Sequence, residues 1–320
     1  MNIKKCENGH FYDINKTMTC PICERMGMLL FPEKYQALGD IRYLRNNIYE
    51  SQFAIVPKPN YILRRLKKSI ANEKKNMFLH DVEIRNMLKG CHHIVQIESC
   101  SEENDTVYIL EEYCTPISDY QKENKLKYID ILVLAEHIVF ALIECRNKGI
   151  FHLDVNSDNI FISNNGFFKL SNFSSSELST KVFDKKRRID IFHENMSFVA
   201  PEVIIDSYYS EQSEIYSLGI VLYEILNEQI LPFMFDLRMD EANCQRLTGT
   251  PLPEPLHGTA EMKTFVLKAC EYDRKSRFAS YEELLDEIEN LKNNLSIPEN
   301  EITVSFNELS KLHCRLKTNF

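Results

Sequence analysis

The spacing of hydrophobic and polar residues changes its period part-way along this 320-residue chain. In the first part, short runs rich in β-branched and aromatic residues predict strands over Ser51–Val56, Tyr61–Leu66 and Thr106–Leu110. Between the second and third of these runs, apolar side chains over Asn76–Lys89 recur at the spacing of one helix face. The region from about residue 35 to residue 114 therefore reads as a small sheet with one helix.

After Cys114 the pattern becomes helical. Tyr128–Lys148 predicts a long buried helix, and Glu214–Leu226 and Ser280–Leu291 predict two more. A β-rich part followed by a helical part is an α+β arrangement. No apolar run approaches the roughly 20 residues that a membrane-spanning helix needs.

Composition narrows the class of protein. Hydrophobic residues make up 44% of the chain, as in an ordinary globular protein. The 38 Lys and Arg residues against 47 Asp and Glu residues leave a net charge of -9, which disfavours a general nucleic-acid-binding surface. The N-terminus has no apolar signal core, so we expect a cytoplasmic protein without membrane contact.

Three of the ten cysteines fall within the first 23 residues, and the others are scattered singly. Cys6 and His10 form a C-x3-H pair, and Cys20 and Cys23 form a C-x2-C pair. Together they supply the four soft or borderline ligands of a closed tetrahedral Zn²⁺ site. The segment resembles small zinc ribbons, which predicts structural zinc in a module over residues 1–27. The alternative is a disordered tail with incidental cysteines.

Several landmarks follow in order. The sequence HLDVNSDN occupies residues 152–159, Asn-Phe-Ser occupies 172–174, and Val-Ala-Pro-Glu occupies 199–202. Glu214 opens the motif EIYSLG, and Arg277 follows later. In this order and spacing the landmarks resemble those of the eukaryotic-type protein kinase family.

The resemblance implies an α+β, bilobal protein-kinase-like fold over residues 34–293, preceded by the zinc ribbon. We expect a small β-rich N-lobe over 34–113, a helical C-lobe over 114–293, and a C-terminal extension over 294–320. It also implies that Glu202 of the third landmark pairs with Arg277, and that Glu214 holds the backbone of the loop at 152–159.

The resemblance also assigns site residues. Asp154 matches the family's proton acceptor, Asn159 a Mg²⁺ ligand, and Asn172 the position of the metal-binding Asp. Arg64 stands where the phosphate-gripping Lys is expected, and Glu83 matches that Lys's helical partner. The strand that leads into the hinge places two further ATP-binding candidates, which are Glu112 and Cys114.

The same comparison with the family shows that several residues expected to bind ATP and Mg²⁺ are replaced. No glycine remains between Ile41 and Leu66, and Glu50 ends the segment expected to cover the phosphates, where it would repel a triphosphate. Arg64 has a fork geometry unlike that of an ammonium group. Asn172 removes one negative charge from Mg²⁺ coordination. Glu111, beside the adenine position, must be paired or protonated if buried, and Arg64 is a candidate partner.

Three changes affect substrate binding and activation. Leu153 removes the Arg that reads a phosphorylated loop, Asn156 replaces a Lys, and Asn195 replaces a Thr. The basic run Lys185–Arg188 predicts a solvated loop; its functional alternative, over residues 181–188, is a docking site for an acidic or phosphorylated protein.

Three functions stay open at this point. The first is a pseudokinase, a scaffold or allosteric regulator with impaired ATP and Mg²⁺ binding. The second is a weak or unconventional Ser/Thr protein kinase that uses Asp154, Asn159 and Asn172 with ATP and Mg²⁺. The third is a module that binds nucleic acid or ubiquitin-like partners through the ribbon. The losses favour the first, and the retention of Asp154 and Asn159 favours the second.

Overall fold

The computed structural model describes residues 3–5, 11–13, 31–46, 49–56, 61–66, 70–103, 106–178, 196–295 and 303–304. The chain divides into two compact units. Unit 1 comprises Met1–Gly90 and Val95–Cys114, and unit 2 comprises Cys91–Ile94 and Thr115–Phe320.

The strands are β1 (Ile3–Lys5), β2 (Phe11–Asp13), β3 (Asp40–Asn46), β4 (Glu50–Val56), β5 (Tyr61–Leu66), β6 (Ile97–Glu103), β7 (Thr106–Glu112), β8 (Cys114–Pro116), β9 (Leu126–Lys127), β10 (Ile150–Phe151), β11 (Ile160–Ser163), β12 (Phe168–Leu170), β13 (Glu177–Leu178) and β14 (Thr303–Val304).

The α-helices are α1 (Glu33–Gln36), α2 (Asn72–Met87), α3 (Ile117–Glu123), α4 (Tyr128–Asn147), α5 (Pro201–Asp206), α6 (Glu211–Leu226), α7 (Met239–Leu247), α8 (Ala260–Ala269) and α9 (Tyr281–Asn294).

Unit 1 contains a five-stranded antiparallel sheet in the order β3-β4-β5-β7-β6. Successive side chains of a strand point to opposite faces, and β7 shows the consequence. Tyr108 and Leu110 pack into one hydrophobic cluster with Phe53 of β4. Val107 and Ile109 pack into another with residues of α2. The sheet therefore has two buried faces, one of which is covered by α2.

Unit 2 is built around α4, which packs against α6, α9 and β12. The helix α6 approaches α8 closely at Gly219, where a Cβ atom would lie 2.7 Å from Cys270 Sγ and 2.9 Å from Ala269 Cβ. The hairpin β11–β12 pairs Ile160 with Leu170. The loop at 152–159 connects β10 to β11, and each of these strands is paired with another strand. Both ends of the loop are therefore fixed by strand pairing.

The predicted elements are confirmed with small shifts at their ends. The strand expected from Ser51 begins at Glu50, the helix expected over 76–89 covers Asn72–Met87, and the strand expected to end at Leu110 continues to Glu112. The sheet-rich and helical parts follow the predicted order. In the described part of the chain, no helix has the length and apolar character needed to cross a membrane.

Candidate active site and a buried charge cluster

One buried carboxylate accepts hydrogen bonds from the backbone of the loop at 152–159. Glu214, in α6, is 1% exposed, and its Oε1 accepts the backbone N–H groups of His152 at 2.8 Å and Leu153 at 3.4 Å. The hydroxyl of Tyr209 donates to the same oxygen at 2.9 Å, and the hydroxyl of Tyr281 donates to Oε2. Burial raises the pKa of Glu214, while these four hydrogen bonds favour its charged form. Leu153 adopts φ +65°, a left-handed conformation that these contacts support.

His152 has a packing and orienting role. Its ring is fully buried and contacts Phe173 edge-on, with centroids 4.5 Å apart. Its Nε2 lies 3.0 Å from the carbonyl oxygen of Ser171, and its Nδ1 accepts the backbone N–H of Asp154 at 3.3 Å. The ring thus connects the start of the loop to the segment that follows β12.

Asp154 accepts hydrogen bonds on both carboxylate oxygens. Asn156 Nδ2 donates to Oδ1 at 2.7 Å, and Asn159 Nδ2 donates to Oδ2 at 3.0 Å. Asn156 also caps the following turn, because its Oδ1 accepts the backbone N–H groups of Asp158 and Asn159. The replacement of the usual Lys by Asn156 therefore gives the loop a local capping residue.

Asn172 extends this chain of hydrogen bonds. Its Nδ2 donates to Asn159 Oδ1 at 3.0 Å, and its own Oδ1 accepts the hydroxyl of Ser174 at 2.7 Å. Asn172 has φ +61° and ψ +72°, a left-handed conformation that Asn tolerates better than most residues. The donors run in one direction, from Ser174 through Asn172 and Asn159 to Asp154.

An ion pair between Arg277 and Glu202 stabilises unit 2 away from this loop. Arg277 donates to both oxygens of Glu202 at 2.8 Å, and its side chain is fully buried. Its remaining N–H groups donate to the carbonyl oxygens of Gln212, Glu271 and Tyr272. The predicted pairing of these two residues is confirmed.

Strand register brings three charged residues of unit 1 to one face of the sheet. Glu50 pairs with Leu66, Arg64 with Ile109, and Ile62 with Glu111. Directly paired residues share a face, and in one strand every second residue does. All of these side chains therefore lie on the face that α2 covers.

The helix α2 supplies the other two charges, Asp81 and Arg85, one turn apart. Arg64 lies 2.8 Å from Glu50, 3.4 Å from Glu111 and 3.7 Å from Asp81. Arg85 lies 2.6 Å from Asp81 and 2.9 Å from Glu111. We call these five side chains the charge cluster. Burial by itself would lower the pKa of Arg64, but the carboxylates of Glu50, Glu111 and Asp81 outweigh it and raise the pKa.

The sequence model of the protein kinase domain family matches residues 58–288, well over half of the chain. This chain belongs to the protein kinase family. The matched range covers most of the β-rich part and the helical part, and it includes both the loop at 152–159 and Arg64.

Curated relatives are kinases from several organisms. Sperm motility kinase 3A of Mus musculus is 30% identical over 162 residues, which are 49% of this chain and 31% of that protein. Serine/threonine-protein kinase cds1 of Schizosaccharomyces pombe is 29% identical over 176 residues, 51% of this chain and 37% of that protein. Mitosis inhibitor protein kinase SWE1 of Candida albicans is 26% identical over 222 residues, 62% of this chain and 18% of that protein. The chain thus spans less than two fifths of each of these relatives.

A protein kinase domain implies Mg²⁺ and ATP in general, and the residues present fit the metal poorly. Asp154 is the single carboxylate among the three family positions, since Asn159 and Asn172 are amides. Each amide oxygen already accepts a hydrogen bond, from Asn172 and from Ser174 respectively. Mg²⁺ favours carboxylate oxygens, so binding here would compete with these hydrogen bonds at a weaker set of ligands. Among the described residues, no group of three or more His, Cys, Asp or Glu side chains is arranged to hold a metal ion.

The family's ion pair between the third strand and the N-lobe helix, expected here between Arg64 and Glu83, involves a different acidic residue. Glu83 is exposed, and the carboxylate of α2 that faces Arg64 is that of Asp81. Two residues along an α-helix are rotated by about 200°, so a shift of two places moves the acid to the opposite face. The assignment of Glu83 as the partner of Arg64 is corrected to Asp81.

The sequence pattern of α2 did not lead us to predict a role for Arg85. A signal was present: Asp81 and Arg85 are an acid and a base four residues apart, on the same face as buried Val82 and Leu88. The predicted contact of Glu111 with Arg64 is confirmed at 3.4 Å, but the shorter contact of Glu111 is with Arg85.

The remaining predicted residues lie in three places. Glu112 is half-buried, and its carboxylate accepts the backbone N–H of Gln96 at 2.8 Å; Cys114 is buried. The zinc candidates Cys6, His10, Cys20 and Cys23 lie outside the described residues. Asn195 and the basic run at 181–188 lie outside them as well.

Proposed function

We propose that this chain is a protein-kinase-like signalling protein that acts as a pseudokinase, a scaffold or allosteric regulator with impaired ATP and Mg²⁺ binding. The observation that carries the proposal is the hydrogen bond from Asn172 Nδ2 to Asn159 Oδ1. In an active family member both positions would turn oxygens to metal. Here one amide uses the oxygen of the other as an acceptor, which satisfies both without an ion.

The retention of Asp154 and Asn159 is compatible with this proposal. Asp154 accepts N–H groups from Asn156 and Asn159, so it organises the loop whether or not a substrate is present. Asn156 Nδ2 and Asn159 Nδ2 also donate to the backbone carbonyl of Asp154. Loss of the carboxylate would still leave one N–H of each part-buried amide without its acceptor, which costs about 1–3 kcal/mol for each buried unsatisfied group. A structural requirement of this size is reason enough to keep both residues in a protein that transfers no phosphate.

The second candidate is a weak or unconventional Ser/Thr protein kinase that transfers the γ-phosphate of ATP to a protein hydroxyl. The observation that favours it is the support of Asp154 by Glu214, through the backbone of His152 and Leu153. In this reading Asp154 would accept the proton of the substrate hydroxyl, and electrostatic stabilisation would come from fewer charges than in the family at large.

Thermal melting with ATP, with and without Mg²⁺, separates the two. A ligand at ten times its Kd adds about 1.4 kcal/mol of stability, enough to shift the melting temperature measurably. We expect no shift at millimolar ATP in either condition. A Mg²⁺-dependent shift, together with phosphotransfer that disappears in Asp154→Ala, would refute the pseudokinase proposal and support the weak kinase.

We further propose that protein partners bind through the zinc ribbon and the basic segment at 181–188, with no nucleic acid or membrane involved. The support is chemical: Cys6, His10, Cys20 and Cys23 are a complete tetrahedral donor set for structural Zn²⁺. The strands β1 and β2, whose residues Lys5 and Phe11 pair, directly flank the first two of these ligands in sequence. We expect about one equivalent of zinc in native protein. Less than about half an equivalent would overturn the ribbon.

We place the protein in the cytoplasm. Cys114, Cys145 and Cys270 are buried free thiols, which is typical of a reducing compartment. Cell fractionation with detection of the native chain tests this assignment, and recovery in a secretory fraction would contradict it.

A further inference from the structure

The charge cluster of unit 1 contains one carboxylate more than its arginines need. Asp81 and Glu111 each contact both guanidinium groups, Arg64 and Arg85. These two acids already balance the two bases. Glu50 adds a third negative charge, which it directs at Arg64 Nε from 2.8 Å.

A buried carboxylate in this place needs partners. Glu50 is only 3% exposed, and a buried charge is tolerated only when it is paired and hydrogen-bonded. Glu50 meets this condition with Arg64 Nε and with Gln52 Nε2, which donates to its other oxygen at 2.6 Å. The pairing explains how Glu50 is tolerated, but the neutralisation of Arg64 did not require it.

The position of Glu50 suggests what the surplus carboxylate does. It is the first residue of β4, the place where the phosphate-covering loop of a kinase domain would end, and Arg64 stands in the place of the phosphate-gripping Lys. A carboxylate and a phosphate oxygen bind a guanidinium through the same kind of charge-assisted hydrogen bond. Glu50 therefore offers Arg64 the interaction that a nucleotide phosphate would otherwise provide.

We propose that Arg64 is a latent binding site for the phosphate groups of a nucleoside triphosphate, and that Glu50 occupies this site as an internal ligand. The inference rests on the proposed function and names the residue that impairs nucleotide binding. Glu50 also makes the net charge of the cluster -1, so it repels an incoming anion as well as engaging the cation.

Removal of the Glu50 charge should open the site without dismantling it. Arg64 would keep Glu111 at 3.4 Å and Asp81 at 3.7 Å, which hold its guanidinium on the helix-facing side of the sheet. Its Nε–H, now bonded to Glu50, would become the free donor. The charge cluster would then carry two positive and two negative charges, and a triphosphate would meet no net repulsion from it.

The experiment compares the affinity of ATP and of inorganic triphosphate for the full chain, in EDTA, by isothermal titration calorimetry. Glu50→Gln keeps the shape of the side chain and removes its charge, and Glu50→Ala removes both. Glu98→Gln, at an exposed position of β6, is the matched control. We expect at least a tenfold gain in affinity in both Glu50 variants, none in the control, and loss of the gain in Glu50→Gln/Arg64→Gln.

Equal, weak affinity in the wild-type chain and both folded Glu50 variants would overturn the inference and leave the proposed function standing. Loss of cooperative unfolding in both Glu50 variants would overturn it too, because the surplus carboxylate would then be essential to the fold. Binding confined to inorganic triphosphate would overturn the nucleotide assignment. Tight ATP binding by the wild-type chain would instead refute the proposed function.

Discussion

Arg85 is the residue of unit 1 whose removal tests the charge cluster most directly. Its side chain is fully buried, with Asp81 at 2.6 Å and Glu111 at 2.9 Å, and it also donates to the carbonyl oxygen of Val95. Substitution by Met fills much of the same volume with an apolar chain. Three carboxylates would then share the single guanidinium of Arg64.

The expected loss of stability is about 3–5 kcal/mol, the usual cost of removing one partner from a buried ion pair. Since the cost comes from the carboxylates left behind, removing one of them should recover part of it. We expect Arg85→Met/Glu111→Gln to be more stable than Arg85→Met by about 1–3 kcal/mol. Arg42→Met, at an exposed position of β3, should change stability by no more than about 0.5 kcal/mol.

Urea unfolding measures these differences. The chain contains no tryptophan, so far-UV circular dichroism is the appropriate signal. A loss below about 1 kcal/mol in Arg85→Met would refute the reasoning that the cluster is tightly coupled and desolvated. So would strict additivity of the two substitutions, because coupled charges must show an interaction energy.

Two further predictions concern unit 2. Burial and the neighbouring His93 lower the pKa of His137 from 6.5 to about 4, so the stability that the neutral ring contributes is complete above pH 6.5 and is lost as the pH falls through about 4. After a discount for the partial exposure of the ring, we expect the free energy of unfolding to fall by about 1–2 kcal/mol over this pH range. Urea titrations at several pH values should therefore give a flatter stability profile for His137→Gln than for the wild-type chain. Parallel profiles would contradict this prediction. Arg277→Met should lower stability by about 3–5 kcal/mol and Glu202→Gln by less, as measured by thermal melting; equal losses would contradict the role assigned to Arg277.

Under the proposed function, each unit departs from the family pattern by a different physical route. In unit 2, the amide of Asn172 stands in place of a charged carboxylate and donates a hydrogen bond to Asn159. In unit 1, Arg64 keeps its charge but has Glu50 as an internal partner. The first change weakens the attraction for a cation and the second weakens the attraction for an anion.

The sequence by itself determined the order and type of the elements and the family landmarks. Periodicity is local, so the alternation in Tyr61–Leu66 and the helical spacing in Tyr128–Lys148 required no knowledge of distant residues. The Glu202–Arg277 pair and the support from Glu214 were also predictable, since these residues belong to family landmarks that follow one another in a recognisable order.

Within the charge cluster, only the tertiary structure decided the contacts other than that between Glu111 and Arg64. The choice of Asp81 over Glu83 depends on the rotation of α2 about its own axis, and a rotation is not visible in a motif match. The contact of Glu50 with Arg64 depends on the register of β4 against β5, and that of Glu111 with Arg85 on how α2 lies across the sheet. Charged side chains interact over a few ångströms whatever their separation in sequence, so their pairing is a property of packing.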